Sequence, residues 1–296
     1  ISIIPAGLNP HEVLTNIAIQ GNRFIFASTL AVYVYDELTL TIEKVITLAD
    51  RTITSFALSP HDSNVLVIGT LGGRLYVWDI EKQALINHLT FENFRVRSAI
   101  VQWDPHNPTR IIAFGEGEVK AHILLWNKCT EDDANGTIFR DVTSNSAKLV
   151  VLKINPQRAN YLALGTSQGE TILMEVGVVD KSRMGREARS HIAAEQKSSS
   201  MRTLPTTVKE NTGAVVDLAW DGLSSIYLVV AYTNTMILWD TDTCERINVF
   251  DKSACANVTS VTWAEWIVGS FVTTTSKDNA LKVWNASQKT PSDTIQ

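Results

Sequence analysis

Gly165-Thr166-Ser167-Gln168-Gly169 spells the G-x-S-x-G pattern of a hydrolase nucleophile elbow. That chemistry needs the serine on a strained strand-to-helix turn, with a histidine and an acid brought beside it. Here the motif falls between two strand-like segments, in register with Gly69–Gly73. Its glycines therefore read as turn residues and Ser167 as solvated. His61 and His106 occupy matching places in Ser-Pro-His-Asp and Asp-Pro-His-Asn, and with Asp62 and Asp104 they are candidate metal ligands. Tight turns call for the same Pro, Asp and Asn residues. No H-E-x-x-H or C-x-x-C spacing supports a metal, so none is expected. Gly115-Glu116-Gly117 has no helix after it to receive a phosphate, and Glu116 and Glu118 would repel an anion. It reads as a hairpin loop, and no cofactor is expected.

Two features suit recognition better than catalysis. Trp266, in Ala264-Glu265-Trp266, replaces the small residue usual in such a turn. Exposed, with Glu265 beside it, an indole attracts a cation such as methylated lysine; the plainer reading packs Trp266 on its own turn. The second feature is residues 180–203, which lack alternation and aromatic residues. Within them Lys181, Arg183, Arg186, Arg189, Lys197 and Arg202 stand against Glu187 and Glu195, so residues 181–202 are net +4 in a chain of net -5. A basic flexible loop on a rigid scaffold is placed to meet an acidic protein surface, where charge speeds and orients docking. A phosphate on the Ser198-Ser199-Ser200 run would reverse that charge. The alternative is a solvated insertion without a partner.

The elements that carry these residues repeat. Ser276–Asn285 (SKDNALKVWN) is a polar turn, then apolar and polar residues in alternation, ending on Trp-Asn. Such a pattern predicts the last hairpin of a small antiparallel sheet. It returns at Leu71–Asp79, Thr233–Asp240 and His122–Asn127, and more weakly at Ala31–Asp36 and Glu170–Val176. Setting Tyr35, Trp78, Trp126, Met174, Trp239 and Trp284 in register gives spacings of 43, 48, 48, 65 and 45 residues. Self-similarity near 40–45 residues with a Trp-Asp closing each unit is the signature of propeller blades. The repeats fall at about 12–46, 47–90, 91–140, 141–178, 206–250 and 251–290, and the insertion explains the long spacing. The fold class predicted is all-β: a single propeller of at least six four-stranded blades. Closure comes either from Ile1–Ile4 pairing with the last blade or from a seventh blade beyond Gln296, and the second is preferred.

These residues resemble the WD-repeat β-propeller family over nearly the whole chain. Leu281–Asn285, Leu75–Asp79 and Met236–Asp240 carry the most specific part of the likeness, through strand, Trp and Asp or Asn at blade spacing. Ala27–Tyr35 and Val283–Ile295 look like stretches of one long member, which implies further repeats after this segment and no established enzymatic activity. The family places an Asp six residues before the Trp, in a buried hydrogen-bond network with a His, a Ser or Thr and the Trp. Only Asp278 matches; Gly72, Lys120, Gln168 and Thr233 stand elsewhere, and the Gly-His pair that opens a repeat is missing. Rigidity is therefore expected mainly from apolar packing between blades.

Composition agrees with a globular chain: of 296 residues 45% are hydrophobic and 19% charged. A net charge of -5 argues against a general nucleic-acid binder, and no apolar run reaches membrane-spanning length. Cys129, Cys244 and Cys255 are too few and scattered for a disulfide framework, so reduced thiols in a cytoplasmic protein are expected. Asn135, Asn257 and Asn285 open Asn-x-Ser/Thr triplets that, with no signal peptide, read as chance matches. The function expected is a non-catalytic scaffold that docks other proteins on rim and loops. The alternatives are a reader of modified peptides at a rim aromatic site and an enzyme with its site at a channel mouth.

Overall fold

The computed structural model describes residues 17–48, 52–90, 98–116, 121–131, 137–142, 148–176, 201–205, 213–276 and 279–295. All regular structure among them is β, in two compact units, Ile1–Ser146 and Ala147–Gln296. Each unit contains three four-stranded antiparallel blades whose strands follow one another in chain order. In the first unit, blade one is β1 (Ile17–Gln20), β2 (Arg23–Ala27), β3 (Ala31–Asp36) and β4 (Ile42–Thr47). Blade two is β5 (Ile53–Leu58), β6 (Val65–Thr70), β7 (Arg74–Asp79) and β8 (Ala84–Thr90). Blade three is β9 (Ser98–Trp103), β10 (Ile111–Glu116), β11 (Ala121–Trp126) and β12 (Thr137–Val142). In the second unit, blade four is β13 (Leu149–Ile154), β14 (Tyr161–Thr166), β15 (Thr171–Glu175) and β16 (Met201–Thr203). Blade five is β17 (Val215–Trp220), β18 (Tyr227–Tyr232), β19 (Met236–Asp240) and β20 (Glu245–Val249). Blade six is β21 (Val258–Trp263), β22 (Ser270–Thr275), β23 (Leu281–Asn285) and β24 (Asp293–Ile295).

The second strands β6 and β14 open on unbroken apolar runs, Val65–Ile68 and Tyr161–Leu164, because both of their faces are covered; every residue of these two strands is buried. The third strands end on the aligned aromatic positions, where Tyr35, Met174, Trp126, Trp239 and Trp284 are buried. Trp284 donates its indole N–H to Thr273 Oγ1 at 2.9 Å. Thr273 lies two residues beyond Phe271, the cross-strand partner of Trp284. In blades five and two the place of Thr273 falls to Val230 and Ile68, two residues beyond Leu228 and Leu66, the cross-strand partners of Trp239 and Trp78. Neither aliphatic side chain accepts a hydrogen bond, and among the described residues the N–H groups of Trp239 and Trp78 have no partner. Of the polar network expected from the family resemblance, blade six keeps the bond between Trp284 and Thr273. Asp278, its matching acid, lies outside the described residues.

Blades within a unit are joined by two recurrent devices. On an innermost strand, Ser55 Oγ accepts from Val101 N of the following blade at 3.1 Å and donates to Ala99 O at 2.9 Å. The counterpart in blade five is Asp217, whose Oδ2 accepts from Val261 N of blade six at 3.0 Å. Val151 holds that place in blade four and offers no acceptor to Leu218 N. Asp217 Oδ1 serves that N–H instead, at 2.9 Å. A β-bulge between Val215 and Asp217 turns this side chain toward its neighbours.

On the outer strands, Asn87, Arg202 and Asn248 pair with Val77, Leu173 and Leu238 at one shared register position. Each reaches a turn carbonyl of the next blade. Asn87 Nδ2 donates to Glu131 O, Arg202 Nη1 to Asp242 O at 3.1 Å, and Asn248 Nδ2 to Ala286 O at 2.9 Å. The insertion expected to run through residue 203 is therefore corrected at its end. Met201–Thr203 is the fourth strand of blade four, because β15 offers an open edge and Arg202 has a carbonyl to bind. Lys181, Arg183, Arg186, Arg189 and Lys197, like Ile1–Ile4, lie outside the described residues.

Candidate functional site

The residues with apparent catalytic spacing are held by turns. Ser167 sits in the hairpin between β14 and β15, where its Oγ accepts from Lys148 N at 3.1 Å, and Gly169 takes a φ of 84°. Strand, turn and strand replace the strand-to-helix context that a nucleophile elbow needs. His61 Nε2 lies 3.0 Å from Asp104 O, and Asp104 Oδ1 accepts the His106 N–H at 2.8 Å. The same Asp104 is fully buried against Arg110, an ion pair that fixes its turn. Asp62 Oδ1 accepts from Asn64 N at 2.9 Å. Gly115 and Glu116 end β10 in the ladder opposite His122 and Ala121. Among the described residues no group of three His, Cys, Asp or Glu side chains could hold a metal ion.

A different set converges in the second unit, where the first strands of blades four, five and six end side by side. Trp220 and Trp263 close β17 and β21, both more than nine-tenths buried. Trp220 donates its indole N–H to Lys153 O at 3.1 Å. Trp263 has no partner for the same group among the described residues. Between them lies an open cleft of about 220 Å³ lined by Lys153, Ile154, Pro156, Trp220, Trp263 and Glu265, among others. Lys153 Nζ is 3.7 Å from Asp217 Oδ1. The Glu265 side chain lies against Gly222, where a Cβ would meet its Cγ at 3.7 Å.

Beside this cleft the turn after β21 is apolar at its tip. Trp266 is 76% exposed, Val268 79%, and Leu223 on the turn of blade five 63%. The expectation that Trp266 packs on its own turn is thus corrected. Backbone bonds from Ile267 N to Ala264 O at 3.3 Å and from Ser270 N to Ile267 O at 3.1 Å close the turn tightly. Gly269, at a φ of 69° with nothing within 4 Å of a Cβ, completes it. In the first unit Ile17, Ile19, Ile42 and Val45 of blade one are also exposed, at the two edges of one sheet face whose middle holds the buried Phe26 and Tyr35.

With this geometry established, the chain can be set beside known proteins. In solved structures, a chain of the mitotic checkpoint complex matches with a TM-score of 0.69 at 20% identity, over 95% of this chain and 77% of that one. The computationally designed Ika8 protein matches with a TM-score of 0.63 at 16% identity, over 94% and 72%. The fold is a β-propeller of six four-stranded blades. No family model matches the chain. An 81-residue stretch, 27% of the chain, is 33% identical to protein transport protein SEC31 of Chaetomium globosum and spans 6% of that relative's length.

Sequence reasoning found Glu265 and Trp266 but missed Lys153, Trp220, Trp263, Val268 and Leu223. One signal was legible: blades two to five open the corresponding turn with Ser-Pro, Asp-Pro, Asn-Pro and Asp-Gly, whereas blade six has Ala264-Glu265-Trp266-Ile267-Val268. An apolar run in a place otherwise filled by polar turn residues marks a surface under another demand.

Proposed function

We propose that the chain is a non-catalytic protein-interaction scaffold of the WD-repeat type, acting in the cytoplasm and docking partner proteins on its rim and loops. The observation that carries this reading is the backbone-locked apolar turn Trp266–Val268, with Leu223 exposed on the turn of the preceding blade. Exposed tryptophan on a backbone-locked turn supplies large contact area with little ordering cost, which is the character of an interface anchor. The likeness to a chain of a checkpoint assembly and the short match to a transport protein fit a role in multiprotein complexes. The basic residues Lys181, Arg183, Arg186, Arg189 and Lys197 form a second docking element in this proposal, steering acidic partners toward the rim.

The test is affinity capture from native extract with three proteins: the intact chain, a Trp266→Ser/Val268→Ser variant and a variant lacking residues 181–200. Thermal melts accompany each. A defined partner set lost from the first variant, with an unchanged melt, supports docking at the turn. Partners lost only with the deletion assign docking to the insertion. An identical set from all three proteins overturns both assignments.

A further inference from the structure

The cleft beside Trp266 has a chemical character of its own. Its volume, about 220 Å³, is below the ~300–1,000 Å³ of small-molecule and cofactor sites and matches a single long side chain. Its charges do not cancel. Lys153 stands next to Asp217, which compensates the ammonium, whereas no cation among the described residues pairs with Glu265. The residual charge at the mouth is negative and the walls include two tryptophans, the combination that attracts a cation.

We propose that this cleft receives a lysine or arginine side chain of a partner's extended peptide. The cation lies by Glu265, against the parts of Trp220 and Trp263 that line the cleft. Apolar residues flanking the basic one rest on Trp266 and Val268, which makes the exposed turn and the cleft one continuous surface. The proposal rests on the scaffold reading and specifies its partner: a basic residue set among apolar ones, on a surface otherwise suited to hydrophobic contact. An acidic peptide is disfavoured, because its carboxylate would meet Glu265.

The test titrates the full chain, labelled with nitrogen-15 at its tryptophan indoles, with four acetylated and amidated pentapeptides. All are Gly-Leu-X-Leu-Gly, with lysine, arginine, norleucine or glutamate at X. Norleucine keeps the length and apolar character of lysine but carries no charge. The lysine and arginine peptides should shift indole resonances saturably, with the norleucine peptide about tenfold weaker and the glutamate peptide weaker still. Glu265→Gln should weaken the lysine peptide about fivefold to tenfold while leaving the melt and the norleucine affinity unchanged. Equal binding of the lysine and norleucine peptides overturns the proposal, as does the absence of any shift at millimolar peptide. Partner capture that is lost in Trp266→Ser/Val268→Ser but kept in Glu265→Gln separates the outcomes: the scaffold reading then stands and the cation pocket falls.

Discussion

Replacing Thr273 with valine removes the acceptor of one buried indole and leaves the shape of the site almost unchanged. Thr273 is nearly fully buried and Trp284 fully so, so no solvent takes over the bond. Trp284 is also fixed by its neighbours: it stacks on Phe271 with centroids 6.0 Å apart and meets Phe250 edge-on at 5.5 Å. It cannot turn to find another acceptor without breaking those contacts. Leaving a buried N–H unsatisfied costs about 1–3 kcal/mol. The added methyl group returns up to ~0.8 kcal/mol. The net loss expected is about 1–2 kcal/mol, or roughly 2–8 °C in melting temperature for a unit of this size. The converse change, Val230→Thr, offers Trp239 the acceptor it lacks and should stabilise by about 0.5–1 kcal/mol. Urea unfolding followed by tryptophan fluorescence measures both. A Thr273→Val protein as stable as the parent, or a Val230→Thr protein that is destabilised, would refute the reasoning that this register position decides whether an indole is satisfied.

Asp217→Ala removes the acceptor of both Leu218 N and Val261 N; a loss of about 2–4 kcal/mol is expected in urea unfolding, partly restored by Val151→Ser, which recreates the Ser55 arrangement. Asp79 is held below the usual carboxylate range first by the Lys82 backbone N–H, and Asp36 and Asp251 are lowered first by N–H and hydroxyl donors of Thr39 and Ser253. Since folding lowers these values, their stabilisation is complete above the unfolded carboxylate value near ~4 and is lost as pH falls through the lower folded values. The denaturation midpoint should therefore drop on acidification below ~4, and less steeply in Asp79→Asn. Burial pushes the thiols of Cys129 and Cys255 up to about 12, so neither forms thiolate in the native state at about pH 8. Iodoacetamide followed by mass spectrometry should find Cys244, the half-buried thiol, alkylated first; early loss of Cys129 would contradict the packing around it.

The first three strands of most blades were legible because their side chains are buried on a period the sequence displays. Ile53–Leu58, Leu149–Ile154 and Val258–Trp263 coincide with strands. The fourth strands were not, because they lie on the outside and burial there is sparse: Ile46 and Leu89 are buried in β4 and β8, but Glu245–Val249 alternates between exposed and half-buried residues, and Met201–Thr203 and Asp293–Ile295 are exposed throughout. Their pairing comes from the open edge of the third strand, a tertiary cause that no local pattern reports. The same limit applies to the candidate site. Trp266 stood out because it breaks the turn chemistry of its repeat. The cleft did not, because Lys153, Trp220 and Glu265 meet only once three successive blades stand side by side.

Docking of partner proteins on the turn of blade six is tested most directly by a photo-crosslinking amino acid placed at position 266, with position 38 as the control. Leu38 is 84% exposed on a turn of blade one, so both probes reach solvent equally well. Irradiation in native extract should yield discrete protein adducts from position 266 and few from position 38. Equal adduct yields from the two positions, or adducts from position 38 alone, would contradict the claim.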